Sequence, residues 1–436
     1  MLFRSGKTVY HAGFGIFYDP LFLNIVDNSQ GSAPNIASPI ATSTQGRGVA
    51  NATSIIPTLS PVVSPLNTEE LVVNNLVNPQ TFQWNLGFEH QLPANLKLTI
   101  NYVGTRSEKL FANQQYNYFG PTQANGFDPS QRLDPTRGPI IARGNFADSI
   151  YHGVSTSVSH DFKHGLLVNG TYTFSKALDD GSEVFTTFNQ TTSYAANLAP
   201  GGRAGEWGAS PYDHRHYFSV QYVYTLPGYN REKVLSMITN DWTISGDTTL
   251  QSGPPSTWAI NGLDTNGDGS AANDRPTLSN PKAPYSAVGI DGYFLGADGV
   301  TGALPVAGTY YDLAANNGPN SPLVPVNTSA VHFLIPTHSG NVSRDSFRMP
   351  GVQFWNLAIQ KNIKLSSLTH LEGNVLELRA EAQDVGNHNN VEPFDINLLD
   401  VGTSNFMNRS LNRSSGASAF TQAEGRVIRL WAKFNF

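Results

Sequence analysis

The segment with the most evident chemistry is Asp264-Thr265-Asn266-Gly267-Asp268-Gly269, where oxygen donors recur at the first, third and fifth positions and a glycine stands sixth. This is the front half of a calcium-binding loop, in which hard oxygens wrap the cation and glycine permits the sharp turn. The back half departs from that pattern, because the twelfth position is Arg275 and not a bidentate glutamate, leaving Asn273 or Asp274 to complete the set. The expected metal site is therefore Asp264, Asn266, Asp268 and Asp274, with calcium as the one cofactor the sequence offers and none that it requires. The alternative is an Asx- and Gly-rich surface turn.

Two other polar clusters invite a metal reading. In Asp213-His214-Arg215-His216 the imidazoles alternate, but the sequence supplies no third and fourth donor for zinc, and the expected role is the polar start of a strand. His388-Asn389-Asn390 is expected to close a strand and cap a loop. Neither a GxSxG elbow, nor an HExxH pair, nor a GxxxxGKS phosphate loop is present. With no cysteine there is no thiol catalysis, disulfide framework or zinc ribbon, and the chain is not expected to be an enzyme.

The elements that carry these residues are unusual in composition. Only 14% of the 436 residues are charged, against about a quarter in ordinary globular domains. Asn, Ser, Thr, Gly, Gln, Tyr and Pro fill the deficit, a mixture suited to β-structure with long polar loops. A net charge of -6 without a Lys/Arg-rich run gives no field for phosphate backbones, so nucleic acid is not an expected partner. No stretch approaches the roughly 18 to 20 consecutive apolar residues of a spanning helix, which leaves barrels open because their strands need only alternate.

Alternation is what the sequence contains. Phe82, Trp84, Leu86 and Phe88 interleave with polar or small residues, and after a turn Leu96, Leu98, Ile100 and Tyr102 resume the period. At 39% hydrophobic composition, eight perfectly alternating residues in a chosen phase arise by chance roughly 0.3% of the time. Similar rows run through Tyr10 to Tyr18, Leu166 to Phe174, Phe218 to Tyr224, Trp242 to Leu250, Trp355 to Ile359, Leu376 to Ala382 and Ile428 to Phe436. A weaker row at Val154 and Val158 brings the expected total to about ten strands.

The opposite faces are polar, as with Glu377, Arg379, Glu381 and Gln383. A soluble sandwich would alternate too, but its strands average about five or six residues, whereas a tilted membrane strand needs about nine to eleven. Connections alternate short and long, the long ones falling at about 19–80, 105–149, 176–212, 253–351 and 386–424. That is the plan of an all-β, antiparallel, up-and-down transmembrane barrel with long extracellular loops and short periplasmic turns.

Six stretches carry a family resemblance: GKTVYHAGFGIFYD (6–19), SPYDHRHYFSVQYVYTLP (210–227), WTISGDTTLQSG (242–253), DTNGDGSAANDRP (264–276), GNVSRDSFRMPGVQFWNLAIQKNIKL (340–365) and LELRAEAQDVGNHNN (376–390). In this order they resemble the C-terminal barrel half of TonB-dependent outer-membrane receptors, in particular the Oar-like group. The resemblance implies a barrel of about 22 strands closed around an N-terminal plug. Residues 1–436 are accordingly expected to be the C-terminal portion of such a barrel, with plug, TonB box and signal peptide absent, so that TonB is met only through sequence further upstream.

Ile428, Leu430, Ala432, Phe434 and Phe436 continue one face to a final aromatic residue, the pattern read by the barrel-assembly machinery. The expected partners are thus outer-membrane lipid, that machinery and an extracellular ligand the sequence does not name. The expected function is the wall and binding loops of a receptor that takes up a bulky ligand. The alternatives are a structural or adhesive barrel through which nothing crosses, and a secreted glycan-binding β-protein.

Overall fold

A computed structural model describes residues 6–31, 68–118, 132–163, 165–182, 205–228, 236, 238–260, 262–265, 274–295, 305–316, 321–338, 340–365, 374–391, 394–408 and 425–435. Ten strands form the continuous path of a twelve-stranded main sheet, from which two short strands, Glu69–Val72 and Gly208–Ala209, pair off: β1 Thr8–Tyr18, β2 Gln80–Gln91, β3 Leu96–Gln115, β4 Ile140–Lys163, β5 Leu166–Asp179, β6 His216–Thr225, β7 Trp242–Gln251, β8 Val352–Lys364, β9 Val375–Gln383 and β10 Val427–Asn435. Each pairs antiparallel with its sequence neighbours, so the topology is a plain meander. Among the described residues β1 and β10 do not pair, and the sheet is an open arc.

The register joins the apolar rows into one surface. Ala12 stands opposite Leu86, Leu86 opposite Tyr102, and Tyr102 opposite Val154. At the far side Ile244 faces Ile359, Ile359 faces Ala380, and Ala380 faces Leu430. Because side chains alternate across a strand, a slip of one residue anywhere would turn a row inside out. Within the alternating part of the sheet the register shifts only where β4 meets β5 at the turn, between His160 and Lys163.

This apolar surface is not a core. Phe14 is 68% exposed, Leu86 58% and Leu430 77%, and Tyr10, Ile16, Val154, Phe174, Trp355 and Ile428 are likewise exposed. Soluble monomers rarely expose apolar patches beyond a few hundred Å². Among the described residues no layer packs on this continuous apolar face, and such a sheet is built for hydrocarbon.

The buried core lies elsewhere, in the long connections. Trp258, Ile260, Val288, Ile290, Phe333, Ile335, Met349, Phe394 and Leu398 are buried together, joining the β7–β8 connection to the β9–β10 connection. Strands Thr277–Leu278, Val288–Asp291, Tyr310–Asp312 and Phe333–Ile335 form a small mixed sheet within it. The connection at 253–351 thus carries a buried core of its own. Its apolar residues are scattered among Gly, Pro and Asn without a period, so they meet only in three dimensions.

The connection expected at 105–149 is also shorter than its sequence suggests, because β3 runs for 20 residues and β4 for 24. Their distal halves rise above the membrane band. There Phe111, Ala112, Ala142 and Ala147 are buried, the helix Asn24–Gln30 brings Ile25 in, and Glu69–Val72 adds a parallel strand to β4. With protein covering them, those segments have no reason to alternate. The buried Arg143 pairs with Glu70 at 2.8 Å and donates to Asn113 Oδ1 at 3.3 Å.

Candidate ligand pathway and the latch above it

The face opposite the apolar rows is predominantly polar. Over the first strands it is lined by hydroxyls and amides, with Thr81 and Ser107 hydrogen-bonded at 2.8 Å and Ser157 and Thr171 at 2.8 Å. Further along it becomes charged. Asn356 donates to Asp247 at 2.9 Å, Arg379 pairs with Glu381 at 2.6 Å and donates to Gln360 at 3.3 Å, and Glu377 stands opposite Lys433. Gln221, Asp247, Asn356, Arg379, Glu381 and Gln383 border a concavity of about 430 Å³ on this face. Both signs of charge alternate there beside neutral donors, a lining suited to polar cargo or to a polar protein surface.

Above it, at the end of the sheet bearing the long connections, a set of buried ion pairs fastens the cap to the strands. Arg344, 9% exposed at its side chain, donates to the backbone and carboxylate oxygens of Asp179 at the end of β5. It also donates to Ser182 Oγ at 3.0 Å and to the Glu206 carbonyl at 2.8 Å, and it meets Asp345 at 3.3 Å. Arg275 reaches Glu206 at 2.5 Å. Burial pushes the Asp345 carboxyl up, with Arg344 and the Thr257 hydroxyl opposing.

A second pair sits beside the first. Asp213 is 1% exposed and accepts from Ala177 N at 2.8 Å, from Arg215 at 3.3 Å and from Arg348. Burial pushes its carboxyl up, yet the hydrogen bonds of Arg348 and Ala177 and the charges of both arginines outweigh that and hold it below the usual aspartate range. Gly253 lies so close to Met349 that a Cβ would stand 1.9 Å from its carbonyl oxygen. Only glycine fits where the cap folds back.

The histidines are spoken for separately. His214 Nδ1 contacts the Ser252 carbonyl at 2.9 Å, whereas His216 Nδ1 meets the Tyr172 hydroxyl at 2.7 Å on the apolar face. Asn390 makes two hydrogen bonds to the backbone of Gln353, at 2.8 and 2.9 Å, and so ties the β9–β10 connection to β8. Of the calcium set, Asp264 and Asp274 are described; Asn266 and Asp268 lie outside the described residues. Asp274 Oδ1 accepts from Thr265 N at 2.8 Å and Thr265 Oγ1 at 2.6 Å, which draws the two ends of that loop together. Among the described residues no group of three or more His, Asp or Glu could hold a metal ion. At the last strand Ile428, Leu430 and Phe434 stand opposite Ala382, Ala380 and Leu376 on the apolar face, and Phe436 lies outside the described residues.

The sequence reading missed Asp179, Glu206, Arg275, Arg344, Asp345 and Arg348 as a unit. A usable signal was present. In a chain this poor in charge, Arg344-Asp345 with Arg348 four residues on is a local concentration that needs carboxylates from elsewhere.

An exposed apolar face, a polar opposite face, short connections at one end and a structured cap at the other define a membrane β-barrel wall. The chain matches the family described as outer membrane beta barrel domain over residues 2–428, and it belongs to that family. Its place is therefore the bacterial outer membrane, and the family is one of barrels, not of enzymes. No curated protein matches it. Similar solved structures include the outer membrane transporter YddB from Escherichia coli, 11% identical with a TM-score of 0.41, covering 89% of this chain and 36% of that one. The ferric-catecholate import receptor Fiu from Escherichia coli K12 is 10% identical with a TM-score of 0.38, covering 99% and 33%. The ferripyoverdine receptor of Pseudomonas aeruginosa is 8% identical with a TM-score of 0.36, covering 91% and 29%. This chain thus spans 29% to 36% of the length of these three proteins.

Proposed function

We propose that residues 1–436 form the C-terminal arc of a TonB-dependent outer-membrane receptor of the Oar-like group, serving as barrel wall and ligand-binding cap for uptake of a bulky ligand. The observation that carries this reading is the pair of unpartnered edges. The apolar face continues undiminished to β1 and β10, which do not pair among the described residues. Open edges in lipid leave backbone groups unsatisfied at several kcal/mol each, so further strands are required to close the wall. The motifs of the sequence resemblance support the same reading, since 210–216, 264–276 and 340–350 supply the buried latch. TonB would act through upstream sequence, and the row ending at Phe434 and Phe436 would be read by the assembly machinery.

The test is heat modifiability. The isolated chain, folded in mild detergent, should give no compact band on an unheated SDS gel, because an open arc has no closed ring of hydrogen bonds to resist the detergent. A compact, protease-resistant band that shifts on boiling would mean that ten strands close by themselves.

A further inference from the structure

On the apolar face, near the end of the sheet bearing the short connections, one cation interrupts the hydrocarbon-facing rows. Lys361 stands opposite Trp242 on one side and Leu378 on the other, and its residue is 6% exposed. Its ammonium donates to the Asn240 carbonyl and lies 5.4 Å from the centre of the Trp242 ring. Among the described residues no carboxylate oxygen lies within ion-pairing distance of it; the adjacent Asp241 pairs instead with Lys364, at 3.4 Å.

Lys361 lines a groove of about 860 Å³ walled mainly by Ile238, Trp242, Ile363, Leu378 and Leu430, with Arg379 also at its border. Ile238 is 62% exposed and Leu430 77%. An ammonium has three donors; here it meets one carbonyl and one ring face, and the Asp241 carboxylate that acts on it through space is paired with Lys364. A cation in low dielectric that shares its anion with a second lysine is costly, and its depth, close to the end of β8 at Lys364, is where headgroups begin.

We propose that this groove binds one glycerophospholipid of the periplasmic leaflet, its acyl chain along Ile363, Leu378 and Leu430 and its phosphate on Lys361, with Trp242 at the interface. The occupant follows from the juxtaposition. The groove opens toward hydrocarbon, its walls are mostly apolar, and the two charged residues that border it, Lys361 and Arg379, are both positive, with Lys361 at headgroup depth. A detergent or a neutral lipid would fill the walls but leave Lys361 without its anion.

The proposal rests on the membrane-wall reading, and the experiment separates the two. The full chain, folded in maltoside detergent, is titrated with dioleoylphosphatidylglycerol, and bound lipid is counted by native mass spectrometry. The parent should retain one phospholipid. Lys361→Met should weaken retention at least fivefold, Lys361→Arg should keep it, and Lys364→Met, on the opposite face, should leave it unchanged. Dioleoylglycerol, which has the chains without the phosphate, should not distinguish the parent from Lys361→Met. Equal retention of phospholipid by the parent and Lys361→Met overturns the site, as does equal retention with and without phosphate. Circular dichroism on the same samples keeps the fold separate: strand signal with no lipid retained counts against the site, and absence of strand signal counts against the wall.

Discussion

Arg344 and Asp179 stand 165 residues apart in the chain and meet at the rim, where the guanidinium donates to both the carboxylate and the carbonyl oxygen of the aspartate. One residue belongs to the cap and the other to the end of β5, so this contact, together with that of Arg348 and Asp213, fastens the β7–β8 connection to the sheet. Removing one member of a buried pair leaves a stranded charge and costs about 3 to 5 kcal/mol. Arg344→Ala should therefore release the cap, seen as new protease cleavage between 253 and 351 with the strand signal unchanged. Arg348→Ala, 35% exposed at its side chain, should have a weaker effect.

The face assignment makes a sharper demand. Leu86 and Asn85 are adjacent in β2, one in the apolar row and the other opposite Val103 on the polar face. Leu86→Arg should destabilise the folded barrel by about 2 to 4 kcal/mol if it sits at the bilayer midplane. Asn85→Arg should be nearly silent. Urea unfolding in vesicles measures both, and equal effects would reverse or abolish the two faces.

Much of this was legible in the sequence, for a physical reason. A strand between lipid and lumen must alternate at every residue, so the rows Phe82 to Phe88 and Leu376 to Ala382 carry their own orientation. The cap obeys no such rule. Trp258, Phe333 and Leu398 come from segments without period and are brought together only by the fold. The latch was hidden similarly, since Arg344 lies in the quoted stretch 340–365 but its partner Asp179 lies outside all six, 165 residues away. The extended halves of β3 and β4 escaped notice because helix Asn24–Gln30 and strand Glu69–Val72 cover them and the two-residue period lapses.

The cap should respond to pH through Asp395. Burial, then the neighbouring Asp400, push its carboxyl up to about 6 against the opposing hydrogen bond from Asn397 N. A carboxyl whose folded-state value lies above the ordinary 3.8 holds its proton more tightly in the fold. Its contribution is fully present below the unfolded value and is lost as pH rises through about 6. Hydrogen-exchange protection over 394–408, taken relative to the intrinsic amide rate at each pH, should rise on acidification from pH 7 to 4.5, and Asp395→Asn should remove most of that rise. Protection that falls over the same interval would contradict the assignment.

Calcium is proposed for the loop at 264–274, whose ends Thr265 and Asp274 already join. Because the cap has its own core, the metal would order this loop locally and would not be needed for the cap to fold. Limited proteolysis with and without chelator should show calcium-dependent protection within 264–274 in the parent, and Asp264→Ala and Asp268→Ala should abolish it. Identical digests with and without chelator would leave only a turn.

The central claim, that this chain is a wall with one face in lipid, is tested most directly by cysteine substitution, for which the absence of native cysteine leaves a clean background. Single cysteines at Leu86, Leu378 and Leu430, and at their neighbours Asn85, Glu377 and Arg429, are treated with a charged maleimide in isolated outer membranes. The first three should resist labelling until detergent is added, and the second three should label in the intact membrane. Labelling that does not alternate between neighbours, or full labelling of Leu86, Leu378 and Leu430 without detergent, would contradict the account.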